Sequence, residues 1–147
     1  MKKLLSLIIP TYNCAEYIDE TLALILSELP GNCELILVDD GSTDSTPDIL
    51  KKYAGRAAGR VGISIREHAG VSVTRNAGLD MADSEWIAFM DCDDCLMKGF
   101  FKESLKLLND FTDLYIFSFE RVELLPGFEK QGARITGLRM KRERTYA

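Results

Sequence analysis

The sequence predicts an α/β protein whose sheet is largely parallel and doubly wound, with helices on both faces. Two observations carry the prediction. Short apolar runs of strand length alternate with amphipathic stretches of helical length, the pattern of βαβ units. Polar clusters also recur directly behind the strands, at the carboxyl edge where open α/β sheets bind ligands.

The elements follow in order. Leu4–Pro10 reads as a buried strand stopped by a proline. Tyr17, Ile18, Thr21, Leu22, Ile25, Leu26 and Leu29 repeat at helical spacing, so Ala15–Leu29 is an amphipathic helix that Pro30-Gly31-Asn32 ends. Cys33–Val38 is a second buried strand. Asp44 or Ser45 caps the next helix, which carries Pro47 in its first turn and runs to Ala54. Gly55–Gly59 is a connection, Val61–Arg66 a third strand, and Ser72–Ala82 a short helix. Trp86–Met90 is a fourth strand. Gly99–Asp110 has helical spacing through Phe101, Leu105 and Leu108, and Leu114–Phe119 reads as a fifth strand. Beyond Gln131 the periodicity fails, although Arg134–Arg139 has strand-like composition.

Composition bounds the class. The 147 residues amount to one domain, and 46% hydrophobic with 28% charged residues excludes disordered, collagenous and low-complexity readings. No apolar run has the length of a membrane span. Lys2 and Lys3 precede the first apolar run as in a secretory signal, but Pro10-Thr11-Tyr12-Asn13 breaks it early. The expectation is therefore a soluble, cytoplasmic protein. Cys14, Cys33, Cys92 and Cys95 are expected as reduced thiols, because the single CxxC has neither a second CxxC nor a nearby histidine to complete a zinc site. Residues 1–130 hold 13 basic and 22 acidic side chains, which disfavours nucleic acid as a partner. Residues 131–147 hold 5 basic and 1 acidic. A basic tail of that kind suits either plain solvation or peripheral contact with anionic lipid at the inner membrane face.

Four segments carry chemistry. Asp91-Cys92-Asp93-Asp94 sets three carboxylates in four residues behind a hydrophobic strand. Their mutual repulsion asks for a cation, and hard oxygen ligands suit Mg²⁺ or Mn²⁺ held together with substrate phosphates. The plainer alternative is a solvated acidic turn. Asp39-Asp40-Gly41-Ser42 offers acceptors for a ribose hydroxyl or a base N–H, or else an Asx turn. His68–Asn76 brings a histidine, Arg75 and an amide to a helix start, and Arg75 suits a phosphate or the acidic crevice. Neither GxGxxG nor GxxxxGK[ST] occurs, which disfavours dinucleotide oxidoreduction and P-loop phosphoryl transfer.

Taken together, Leu5–Asn13, Val38-Asp39-Asp40-Gly41-Ser42-Thr43-Asp44, Thr74-Arg75-Asn76-Ala77-Gly78 and Asp91-Cys92-Asp93-Asp94 resemble, in order and spacing, the family 2 glycosyltransferases. The resemblance covers residues 4–110 and implies a Rossmann-like GT-A domain over residues 1–125, truncated relative to the family, followed by an unassigned basic tail over 126–147. It implies transfer of a sugar from a nucleotide diphosphate donor, a UDP-sugar above all, with inversion. Such a reaction belongs to polysaccharide biosynthesis at the cell envelope. By the same resemblance Pro10, Thr11, Tyr12 and Asn13 line the nucleotide pocket. Asp39 contacts the base with Asp40 beside it near the ribose, and Arg75 and Asn76 close over the nucleotide. Asp91, Cys92 and Asp93 form the DxD segment, with Asp93 and Asp91 on Mg²⁺ or Mn²⁺. His68 and Cys92 stand where the family commonly has Asn and Ser. The acceptor is a glycan, a lipid-linked sugar or a protein, and a homo-oligomer is compatible with the pattern. The catalytic base is unassigned: Glu120, Glu123 and Glu129 follow the DxD segment without a matching motif. A truncated module that binds nucleotide-sugar without transferring it is the alternative expectation.

Overall fold

The structure is a computed structural model, and it describes residues 3–54, 59–108, 115–116 and 138–139. The chain divides into two compact units, residues 1–96 and 97–147. The boundary expected after residue 125 lies outside the described residues.

The first unit contains β1 (Lys3–Thr11), α1 (Ile18–Glu28), β2 (Cys33–Asp39), α2 (Thr46–Ala54), β3 (Val61–Ile65), α3 (Val71–Met81) and β4 (Ser84–Phe89). The four strands form one sheet in the order β3-β2-β1-β4, and every pair is parallel. β1 and β2 are buried almost throughout, as central strands covered on both sides must be. Side chains alternate between the two faces. Ile8, Ile36 and Val38 meet Ala77 of α3 on one face. Leu7, Leu35 and Leu37 are left for the other. There α1 and α2 pack together, joined by the Tyr53 hydroxyl, which donates to Asp19 O at 2.9 Å and Asp19 Oδ1 at 2.8 Å. Helices therefore cover both faces, as the right-handed crossover rule requires once the chain reverses direction across the sheet.

The elements match the sequence reading with small shifts at their ends. α1 starts at Ile18 rather than Ala15, because Cys14–Tyr17 forms a turn whose Cys14 carbonyl accepts from both Tyr17 N and Ile18 N. α2 is capped from the predicted segment: Asp44 Oδ1 accepts from Thr46 N at 2.9 Å.

In the second unit, α4 spans only Phe100–Ser104, a correction to the helix expected over Gly99–Asp110. The i to i+4 ladder gives way after Ser104 to a tighter bond from Leu107 N to Ser104 O. Within the fifth strand expected over Leu114–Phe119, the described Tyr115–Ile116 form β5, which pairs antiparallel with β6 (Leu138–Arg139) in a two-stranded sheet. The remainder of both expected strands lies outside the described residues, as do Glu120, Glu123 and Glu129.

The amino end of the sheet is closed by a buried polar knot. Glu34 accepts from Ser6 Oγ and Lys3 Nζ, each at 2.5 Å, and from Asp83 N at 3.1 Å. Burial alone would raise the Glu34 pKa, but the hydrogen bonds from Lys3, Ser6 and Asp83 outweigh it and hold the carboxyl below its usual range. A carboxyl with a lowered folded pKa stabilises the fold above its unfolded pKa and loses that contribution as pH falls through the folded one. Glu34→Gln should therefore cost about 2 kcal/mol at pH 7. In urea titrations the gap to wild type should narrow in acid; a gap that stays constant with pH would contradict this account.

Candidate functional site

The strand order places the topological switch point between β1 and β4. The first two crossovers lead away from β1 on one side, and the third returns past it to the other. At the carboxyl edge there, the structure has a cleft of about 330 Å³. Pro10, Thr11 and Tyr12 follow β1, Asp40 follows β2, and Asp91, Cys92 and Asp93 follow β4. Val71, Thr74 and Arg75 of α3 complete the lining.

The loops behind β1 and β2 are tied into one piece. Asp39 is fully buried, and its Oδ1 accepts from Thr11 Oγ1 at 3.0 Å and Ser42 Oγ at 2.6 Å, while Oδ2 accepts from Ser42 N at 2.9 Å. Asn13 sits in the left-handed region at φ 47°, a conformation its short amide side chain tolerates. Its Oδ1 accepts from Thr43 N at 2.8 Å, and its own N–H donates to Ser42 Oγ at 2.8 Å. Gly41 is required in this turn. Its φ is +72°, and an added Cβ would lie 2.7 Å from His68 N.

Asp40 faces the cleft instead of the turn. Its Oδ1 accepts from Ala69 N at 2.8 Å, its Oδ2 from Gly70 N at 3.0 Å, and His68 Nδ1 lies 2.9 Å from Oδ2. Burial pushes its pKa up, yet the Ala69 N–H, the Thr74 hydroxyl, the Gly70 N–H and nearby His68 together pull it below the usual carboxylate range. Asp40 is thus an ionised group at the mouth of α3. The rings of Tyr12 and His68 lie 4.7 Å apart beside it, and Tyr12 is 47% exposed.

The loop behind β4 is acidic and open. Asp91 and Asp93 are both exposed, and Arg75 Nη2 donates to Asp91 Oδ1 at 2.6 Å. Asp94 has a raised pKa, first from burial and then from the charges of Asp93 and Asp91. Excess negative potential therefore persists despite Arg75. The Cys14 pKa is raised, first by its interaction with Cys92 and then by burial, while the interaction with Cys14 lowers that of Cys92.

Of the eleven residues expected at the site, the cleft brings together Pro10, Thr11, Tyr12, Asp40, Arg75, Asp91, Cys92 and Asp93. Asn13, Asp39 and Asn76 do not line it. The first two build the turns beneath it, and Asn76 is exposed on α3. The sequence reading missed Val71 and Thr74, although Val71, Thr74 and Arg75 fall at i, i+3 and i+4 along one side of the helix.

Asp91 and Asp93 fit a divalent cation of the Mg²⁺ or Mn²⁺ kind. Among the described residues no group of three or more His, Cys, Asp or Glu side chains is assembled around one point. Two carboxylates open to a cleft, short of a full ligand set, are the donor set that such ions take when substrate phosphates complete the shell.

Parallel α/β architecture with a polar cleft at its switch point defines a class of proteins that bind their ligands at that carboxyl edge. Comparison with known proteins narrows this further. The profile described as glycosyl transferase family 2 matches residues 6–146, and the chain belongs to that family. It is 35% identical over 114 residues to the putative glycosyltransferase EpsH of Bacillus subtilis, covering 78% of this chain and 33% of that protein. It is 33% identical over 117 residues to the putative teichuronic acid biosynthesis glycosyltransferase TuaG of the same organism, covering 80% of this chain and 46% of the relative. Among solved structures, S. aureus TarS 1-349 in complex with UDP-GlcNAc matches with a TM-score of 0.64 and 34% identity, over 70% of this chain and 30% of that one. The mannosyltransferase PcManGT from Pyrobaculum calidifontis, solved with GDP-Man and Mn²⁺, matches with a TM-score of 0.64 and 25% identity, over 76% of this chain and 34% of that one. The fold is that of these GT-A enzymes. The chain spans between a third and a half of the length of the two curated relatives. Among the described residues no helix is long and apolar enough to cross a membrane.

Proposed function

We propose that this chain binds the nucleotide-sugar donor of an inverting glycosyltransferase that extends a cell-envelope glycan, with a UDP-sugar as donor. The supporting observation is the cleft between β1 and β4, which sets an aromatic and carboxylate end opposite an acidic end. Tyr12 offers a ring to the base, and Asp40 accepts from its N–H or from the ribose. Asp39 was expected on the base; bound to Thr11 and Ser42, it is assigned here to holding the β2 turn. Arg75 and Asp91 lie at the diphosphate end. Asp91 and Asp93 would hold Mg²⁺ or Mn²⁺, which as a Lewis acid neutralises charge developing on the departing diphosphate. Arg75 exchanges its bond to Asp91 for a phosphate oxygen, so part of the loop's negative charge is compensated while the site is empty. The TarS structure with UDP-GlcNAc and the cell-envelope relatives support the choice of donor and pathway class.

Calorimetric titration of UDP with Mn²⁺, repeated with EDTA, tests the reading. Binding that requires Mn²⁺ is expected. The absence of binding by UDP and by GDP would overturn it. Release of UDP from a UDP-sugar, assayed in parallel, separates a transferase from a module that only holds the donor.

A further inference from the structure

The donor reading gives His68 no task, yet the structure holds this residue at several points. Its backbone is pinned on both sides: Arg66 N donates to Asp39 O at 3.0 Å, while Ala69 N and Gly70 N donate to Asp40. The ring is fixed as well. Nδ1 lies 3.0 Å from Asp40 O and 2.9 Å from Asp40 Oδ2. Both partners are acceptors, so the proton sits on Nδ1 in either charge state of the imidazole. The side chain is nevertheless 60% exposed, and burial does not account for the anchorage. What the anchored ring touches is Tyr12. The two centroids lie 4.7 Å apart with the planes at 31°, within stacking range. Tyr12 lines the cleft and His68 does not, so the imidazole backs the phenol ring from outside. Among the described residues no other ring meets Tyr12. A tyrosine that is 47% exposed and lacks such a prop loses rotamer freedom when a ligand settles on it.

We infer that His68 is a positioning residue for the donor: tethered to Asp40, its ring fixes Tyr12 as a ready-made platform on which the nucleobase stacks. The inference rests on the donor reading of the cleft. Stacking on an aromatic side chain tolerates any base, so His68 sets the strength of nucleotide binding and leaves the choice of base to other groups. The imidazole ring is the working part. The backbone ties around position 68 do not depend on the side chain, so they carry a replacement ring to the same place.

Two measurements on the full chain test this. The chain has a single histidine, so the ring protons of His68 are identified at once in the NMR spectrum of the ligand-free protein. Stacking on Tyr12 should move them upfield, and Tyr12→Ala should abolish that shift. Signals that stay in place in Tyr12→Ala would overturn the inference, whatever the chain binds. The second measurement is calorimetry with UDP and Mn²⁺. His68→Asn can keep an N–H on Asp40 but has no ring, and it should weaken binding by about 3–10-fold, the range one aromatic pair supplies. His68→Phe restores a ring without the N–H and should recover most of that loss. In a Tyr12→Ala background, His68→Asn should cost less than about 2-fold. Full affinity in His68→Asn, no recovery in His68→Phe, or an equal cost in both backgrounds would each overturn the proposal. If the wild-type chain binds neither UDP nor GDP, the donor reading falls and takes this role with it. Wild-type binding that His68→Asn leaves unchanged removes His68 alone.

Discussion

Replacing Asp93 with alanine is expected to weaken Mn²⁺-dependent UDP binding by about 100-fold or more, equivalent to about 3 kcal/mol. Losing one of two protein carboxylates leaves the ion with a single protein ligand, and even the outer partners of metal ligands are worth about 10–100-fold. The fold should be indifferent. Asp93 is exposed, so its removal should leave stability within about 0.5 kcal/mol of wild type. Calorimetry with Mn²⁺ and a thermal melt on the same sample read both quantities. Unchanged affinity would remove Asp93 from the metal site, and a collapsed melt would mean that the loop supports the sheet. Asp91 is the poorer choice for this experiment, because its removal also frees Arg75.

Gly78→Ala should be among the most damaging small substitutions in the chain. In an ordinary helix the change would stabilise by about 0.5–1 kcal/mol. At this position the new Cβ would stand 2.4 Å from Ile8 Cγ2, with Ile8 Cδ1 and Val38 Cγ2 both at 3.5 Å. The nearest atom belongs to a fully buried side chain of a central strand, so α3 must lift from the sheet. A net loss of about 1–3 kcal/mol is expected, as for other overpacked cores. A double-mutant cycle identifies the cause. Ile8→Ala removes Cγ2 and should relieve part of the cost of Gly78→Ala, whereas Ile8→Val keeps a γ-methyl against α3 and should not. If Gly78→Ala is neutral in urea titrations, the close seating of α3 on β1 is wrong.

Much of this architecture is legible in the sequence because the physics behind it is local. Leu4–Pro10 and Cys33–Val38 are unbroken apolar runs, and only strands covered on both faces tolerate that. The site is legible to the same degree, since polar residues behind such strands can only gather at the carboxyl edge. The roles of Asp39 and Asp40 were harder to separate. Alternation puts Asp39 on the Leu37 side with α1 and α2, and Asp40 on the Val38 side with α3, where the cleft opens. That signal was available once α3 was known to cover the Ile36–Val38 face, but nothing local reveals which helix covers which face. The overlong helix at Gly99–Asp110 fails differently, because apolar spacing there records burial and says little about where a hydrogen-bond ladder tightens.

Asn13 and Asp39 have a further consequence for how such a site can diversify. Because Asn13 spans to Thr43 and Asp39 spans to Thr11 and Ser42, the two loops behind β1 and β2 form a single mechanical part. A change in either is transmitted to the other, so variants there should survive mostly in compensating pairs. The acidic loop has a looser side-chain mooring, through Arg75. Positions in that loop other than its cleft-lining carboxylates can therefore drift singly, whereas the two loops behind β1 and β2 change together.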